Sequence, residues 1–129
     1  MEIALRAALI QWLAADSTLG ALLNAITEEA PAKAALPWLA IASSASTDWS
    51  TKDLSGREVR IALELHCRGD RQDPTDSLVA ALESRVAAMP AEQAGYRIVV
   101  ARFLRARAEQ RPGNVRSILT EYRFRLLAD

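Results

Sequence analysis

The sequence predicts an α+β fold: a mainly antiparallel sheet of about four strands with two helices on one face, in the order helix, strand, strand, helix, strand, strand. Three observations carry this. Residues Arg57–Arg68 alternate strictly, with Val59, Ile61, Leu63, Leu65 and Cys67 set against Arg60, Ala62, Glu64, His66 and Arg68, the period of a half-buried strand. Two other segments place apolar residues three and four apart, the spacing of an amphipathic helix. A strong turn signal, Arg111-Pro112-Gly113-Asn114, separates two strand-like runs near the C-terminus, which marks a hairpin. At 129 residues the chain fits one domain, 1–129, large enough to bury a core without disulfides or metal.

Taken in order, Ala4, Leu5, Ala8, Leu9, Trp12 and Leu13 form the first helical stripe, with Glu2 in the first turn where it suits the helix dipole. Asp16 caps a short second helical turn, Ser17 to Leu23, which Gly20 weakens. Residues 27–35, with two acids, several alanines and Pro31, read as a loop. Pro37 to Ala42 is an apolar run behind a proline, a tolerated start for a strand. The polar stretch Ser43 to Gly56 reads as a turn-rich loop with Trp49 at its middle. After Arg68, a charged turn leads to Asp73-Pro74, a helix start, and Leu78, Val79, Leu82, Val86 and Met89 give the second helix its stripe until Pro90 stops it. Tyr96–Ala108 and Val115–Leu127 are the hairpin strands. In the second, Ile118, Thr120, Tyr122, Phe124 and Leu126 share one face, so Tyr122 and Phe124 are expected in the core.

Composition excludes several function classes. No apolar run approaches the roughly 20 residues of a membrane span, and the first residues lack the pattern of a signal peptide, so a cytoplasmic location is expected. Cys67 and His66 are the only cysteine and histidine. As strand neighbours they point to opposite faces and cannot act as nucleophile and base. A metal site would need carboxylates, and Asp70, Asp73 and Asp76 lack the alternate spacing and central glycine of a calcium loop; they read as caps and a solvated turn. The five glycines, 20, 56, 69, 95 and 113, form no phosphate-binding loop, and there is no nucleophile elbow. No catalytic residue, cofactor or metal is expected, and the chain reads as a non-enzyme.

The zero net charge is divided unevenly. Residues 1–96 carry 8 basic and 13 acidic side chains, a balance of −5; residues 97–129 carry 8 arginines and 3 acids, a balance of +5. Such a split marks either a nucleic-acid surface or complementary faces between copies of one protein. Trp49, in a polar loop, either anchors a contact or folds back over its own core.

The stretch Pro37-Trp38-Leu39-Ala40-Ile41, then Asp48-Trp49-Ser50-Thr51-Lys52, then Gly56-Arg57-Glu58-Val59 entering the alternating strand, resembles the tail terminators, or tail-completion proteins, of long-tailed phages and gene transfer agents. The helix, leucine-rich turn, second helix and closing hairpin fit the same pattern over nearly the whole chain. The resemblance implies a structural subunit of a hexameric ring that caps the tail tube, stops its polymerisation and joins it to head-side connector proteins. DNA would pass through the channel without sequence-specific contacts. Such a subunit is cytoplasmic during assembly and then part of the particle. The segment before Pro37, including Glu28-Glu29-Ala30-Pro31, departs from the strand-like segment usual in that family. A ring needs two different patches that meet head to tail. The hairpin 97–125 and the loop 43–56 are the candidates, with Asp48, Trp49, Lys52, Arg57, Arg60, Glu64, Arg102 and Arg105 as interface residues. The alternative is a small nucleic-acid-binding module that uses the arginine-rich hairpin.

Overall fold

The computed structural model describes residues 1–70 and 72–129, with the side chains of all of these except 72–74. It is an α+β fold with three helices, α1 (Glu2–Ala14), α2 (Ser17–Leu22) and α3 (Gln72–Ala87). The six strands are β1 (Ala25–Thr27), β2 (Trp38–Asp48), β3 (Gly56–Arg68), β4 (Glu92–Gln93), β5 (Tyr96–Arg111) and β6 (Val115–Ala128). They form one sheet in the order β1-β2-β3-β6-β5-β4. All pairings are antiparallel except that of β1 with β2.

β3, β5, β6 and the two long helices are where the sequence predicts them, and β2 begins in the apolar run behind Pro37. The sheet nevertheless has six strands and not four, and it is mixed. The two extra strands, β1 and β4, are three and two residues long, too short to show a period, and they exist because a longer neighbour offers a free edge. β1 ends where the loop was expected to begin, so most of 27–35 is loop.

The larger correction concerns Ser43–Asp48, expected as loop. These residues continue β2 and pair in register with Arg57–Ala62 after an irregularity between Ile41 and Ser43. The run Ser-Ser-Ala-Ser-Thr has no apolar alternation because its inward side chains meet polar partners. The Ser44 hydroxyl donates to Glu2 Oε2 at 2.6 Å and accepts from Arg6 Nη1 at 2.8 Å. Glu2 therefore serves the sheet as well as the helix dipole. Its hydrogen bonds from Ser44 and Ser46 hold its carboxyl below the ordinary value.

The core lies between the helices and one sheet face. Leu5, Leu9 and Leu13 of α1 and Leu78, Leu82 and Val86 of α3 pack onto Val59, Ile61, Leu63 and Leu65 of β3 and Phe124 and Leu126 of β6, all buried. Asp16 caps α2 as expected, accepting from the Leu19 N–H at 3.0 Å. α1 and α3 are clamped by Trp12 and Arg85. The indole Nε1 donates to the Arg85 carbonyl at 2.7 Å, the guanidinium donates back to the Trp12 carbonyl, and it lies 3.3 Å from the ring centroid. The turn after β5 has Gly113 at φ +80° and Asn114 at φ +59°, left-handed conformations that glycine and asparagine adopt most readily.

Tyr122 and Phe124 are core residues, as their alternation predicts. Burial pushes the Tyr122 hydroxyl up to about 12 from its ordinary 10.0. A tyrosine with a raised folded value adds no pH dependence below the unfolded value; above it, the unfolded chain ionises first and stability falls. Wild-type stability should therefore drop as pH rises from 10.0 to about 12, and Tyr122→Phe should flatten that drop in denaturant titrations. Burial also raises Tyr96, so part of the drop remains in the variant.

Candidate functional site

The register sorts every side chain of the sheet onto one of two faces. On the face away from the helices, Arg60 of β3 stands opposite Arg123 of β6, and Arg123 opposite Arg102 of β5. Three arginines thus occupy one row across three adjacent strands, spaced by the roughly 4.8 Å between strands. Like charges directly opposite one another repel, so the neighbouring rows matter. On one side, Glu58 accepts from Arg125 Nε at 3.0 Å and lies 4.0 Å from Arg60. On the other, Glu121 accepts two hydrogen bonds from Arg105. These hydrogen bonds hold the Glu121 carboxyl below its ordinary value. Further along, Glu109 pairs with Arg107 and Arg111. The acids closest to the row are already engaged. Among the described residues Arg102 and Arg123 have no ion pair, and the buried Nε of Arg123 has no hydrogen-bond partner.

A shallow groove of about 620 Å³ runs beside this row, lined in part by Ser43, Ala45, Arg60, Ala62, Arg105 and Glu121. At the Trp38 end of β2 on the same face, the His66 ring stacks on Trp38 with centroids 4.0 Å apart, and its Nε2 lies 3.5 Å from Glu64.

The eight expected interface residues fall into two groups. Arg60, Glu64, Arg102 and Arg105 share the helix-free sheet face. Asp48, Trp49, Lys52 and Arg57 sit at the β2–β3 hairpin end, where Asp48 and Arg57 pair in register and Arg57 Nη1 donates to Ser46 at 3.3 Å. Trp49 resolves toward its own fold: it is half-buried, with the Arg125 guanidinium 5.4 Å from its ring centroid. The loop is held by its own hydrogen bonds, Ser50 to Asp48 at 2.6 Å, the Gly56 N–H to Ser50 at 3.0 Å and the Leu54 N–H to Thr51 at 2.9 Å. Lys52 and Leu54 are presented at its exposed tip. Arg123 and Arg125 belong to the arginine-rich hairpin that the sequence offers as a basic face, though not to the eight expected interface residues; Glu58 and Glu121 were missed as members of the face. The alternation of Val115–Leu127 already set Arg123 and Arg125 opposite the core tyrosine and phenylalanine, but only the register joins them to Arg60 and Arg102.

The chemistry available is recognition. Cys67 is buried toward the helices and burial pushes its thiol up, the reverse of an activated nucleophile. Among the described residues no group of three or more metal-ligating side chains exists; the Asp73 side chain, expected as a cap, lies outside those residues. No described helix is long and apolar enough to cross a membrane.

Gly56 fixes the join between loop and sheet. A Cβ there would lie 2.3 Å from the Trp49 carbonyl oxygen and 2.8 Å from that of Leu126, backbone atoms that cannot move aside. Gly56→Ala should destabilise the protein by about 1–3 kcal/mol in chemical denaturation, with Trp49 fluorescence shifting toward that of an exposed indole.

Comparison with known proteins agrees with this reading. No curated protein matches the sequence. A chain in the virion of a native gene transfer agent (GTA) particle superposes with a TM-score of 0.80 at 25% identity, covering 97% of this chain and 96% of that one. The family model described as tail completion protein gp17 matches residues 7–127. The chain therefore belongs to the tail completion protein gp17 family, a family of structural tail proteins and not of enzymes.

Proposed function

We propose that the protein is a tail terminator of a phage-like particle. Copies assemble into a ring, taken as a hexamer, that caps the tail tube, halts its growth and joins it to head-side connector proteins, with DNA passing through the channel. The chain is made in the cytoplasm and ends in the particle at the tail–head junction. The observation that carries this reading is the near full-length match to the tail completion family, joined by the likeness to a chain of a gene transfer agent virion over 97% of the length. The sheet supports it physically. A ring of one chain needs two different patches on opposite sides of each copy, and the hairpin and the β2–β3 loop lie on separate strands of one sheet.

A second reading has one specific observation in its favour. The row Arg60–Arg123–Arg102, with two guanidiniums unpaired, is the arrangement that a phosphate backbone would neutralise. The aromatic side chains near it do not share its face: Tyr122 and Phe124 are buried on the other face, and the exposed Phe103 pairs in register with Tyr122 on that side, so base stacking does not support this reading.

One experiment separates the two. Native mass measurement of the purified protein should give a multiple of the 14.1 kDa chain near six, and Arg102→Glu with Arg105→Glu should reduce the ring while circular dichroism stays unchanged. Rings and working particles formed by the double variant would remove these residues from the interface. A monomer that binds duplex DNA, with affinity falling steeply as salt rises, would replace the ring reading by the second.

A further inference from the structure

We infer that the ring closes by strand addition: the outer edge of β5 in one copy pairs antiparallel with the free edge of β2, Ser43–Asp48, in the next. This rests on the ring reading above and supplies its contact surface.

Both ends of the sheet are only partly covered. β4 pairs with Tyr96 and Arg97 alone, and Ala91 adds one bond to the Ile98 N–H, so among the described residues β5 is open from Val99 to Arg111. At the opposite end β1 pairs with Trp38 to Ala40, and Glu28 adds one bond to the Ile41 N–H. Beyond that point β2 is paired on its β3 side only. An open edge is a template for another strand.

The two edges match in four respects. First, their regular segments have similar length. The irregularities of β5 lie between Ile98 and Val100 and between Phe103 and Arg105, so Arg105–Arg111 is a regular run of seven residues. The regular run of β2 after its own irregularity is the six residues Ser43–Asp48. Second, polarity is correct. Three successive antiparallel pairings, β2 to β3, β3 to β6 and β6 to β5, make β5 run opposite to β2. Adding the next copy's β2 therefore continues the antiparallel alternation. Third, the side chains are compatible in size: arginines and alanines on β5 meet serine, alanine and threonine on β2. Fourth, charge is complementary. Of the β5 arginines, Arg105, Arg107 and Arg111 are already paired with Glu121 and Glu109 and Arg102 is not, whereas the β2 edge ends at Asp48 and lies beside Glu29, 90% exposed and paired with Arg6; the net excess on the β5 edge is basic and that beside β2 is acidic.

The apolar exposure also favours a covered edge. Three of the six large hydrophobic side chains that are exposed, Val99, Phe103 and Leu104, lie on β5. An edge kept single by charges and irregularities alone has no need of them.

Disulfide trapping tests the inference. Arg107 lies on the helix-free face, as do Ser43, Ala45 and Thr47 of β2. Within one copy β3 and β6 stand between these positions, a span of about 14 Å, too far for a disulfide. Arg107→Cys is combined with Ser43→Cys, Ala45→Cys or Thr47→Cys, one for each register of the pairing, and the assembled protein is oxidised. At least one pair should yield a ladder of covalent multimers on denaturing gels, while each variant with one introduced cysteine yields dimers at most, because the native Cys67 is buried. Intact rings by native mass with no ladder from any of the three pairs overturn the strand addition and leave the ring reading standing. A wild-type protein that is monomeric by native mass overturns both.

Discussion

The pairing of β3 with β6 is the constraint on which the rest of the structure depends. All thirteen residues of β3 pair with β6 in an unbroken register from Gly56 opposite Leu127 to Arg68 opposite Val115. The side-chain period of a strand is two, so a slip of one residue would turn the apolar set of β3 to solvent and the arginines to the core. This register seats Val59, Ile61, Leu63 and Leu65 beside Ile118, Tyr122, Phe124 and Leu126 under the helices. The same register sets Arg60 beside Arg123 and Glu58 beside Arg125 on the other face. Core and candidate contact surface are thus two sides of one alignment.

The helix layer is held by a different kind of contact. Leu5, Leu9 and Leu13 bury one stripe of α1, and the Trp12–Arg85 clamp joins α1 to α3 through three hydrogen bonds and a stacked guanidinium. The polar start of α1 reaches the sheet through Glu2 and Arg6, which satisfy Ser44 and extend to Glu28 and Glu29. That polar junction lets β2 run on past its apolar half and leaves a free, serine-rich edge. β5 is irregular, basic and uncovered at the other end of the sheet. In the proposed ring, these two different open edges are the patches that meet head to tail.

The helix-free face combines repulsion and neutralisation. Glu58, Glu109 and Glu121 are each held by arginines in register or nearby, which keeps the face from being uniformly basic. What is left over is concentrated in the row Arg60–Arg123–Arg102. A face of this kind has modest attraction for anions and little power to grip one in place, because most of its charge is already paired internally.

Local sequence by itself determined β3 and β6, the stripes of α1 and α3, and the placement of Tyr122 and Phe124 in the core through spacings of two or of three and four that burial of one face enforces; it determined β5 by its strand composition and the hairpin turn by Pro112-Gly113. The same alternation sets His66 and Cys67 on opposite faces of β3. Tertiary structure alone decided that Ser43–Asp48 is strand, that β1 and β4 exist, and that Trp49 folds back beneath Arg125. Those segments have no period of their own, and their state is set by neighbours that supply hydrogen bonds. The arginine row and the two open edges were likewise beyond the sequence. They depend on the register between β3, β6 and β5 and on the order of strands across the sheet, and both are settled when distant segments bury their apolar faces together.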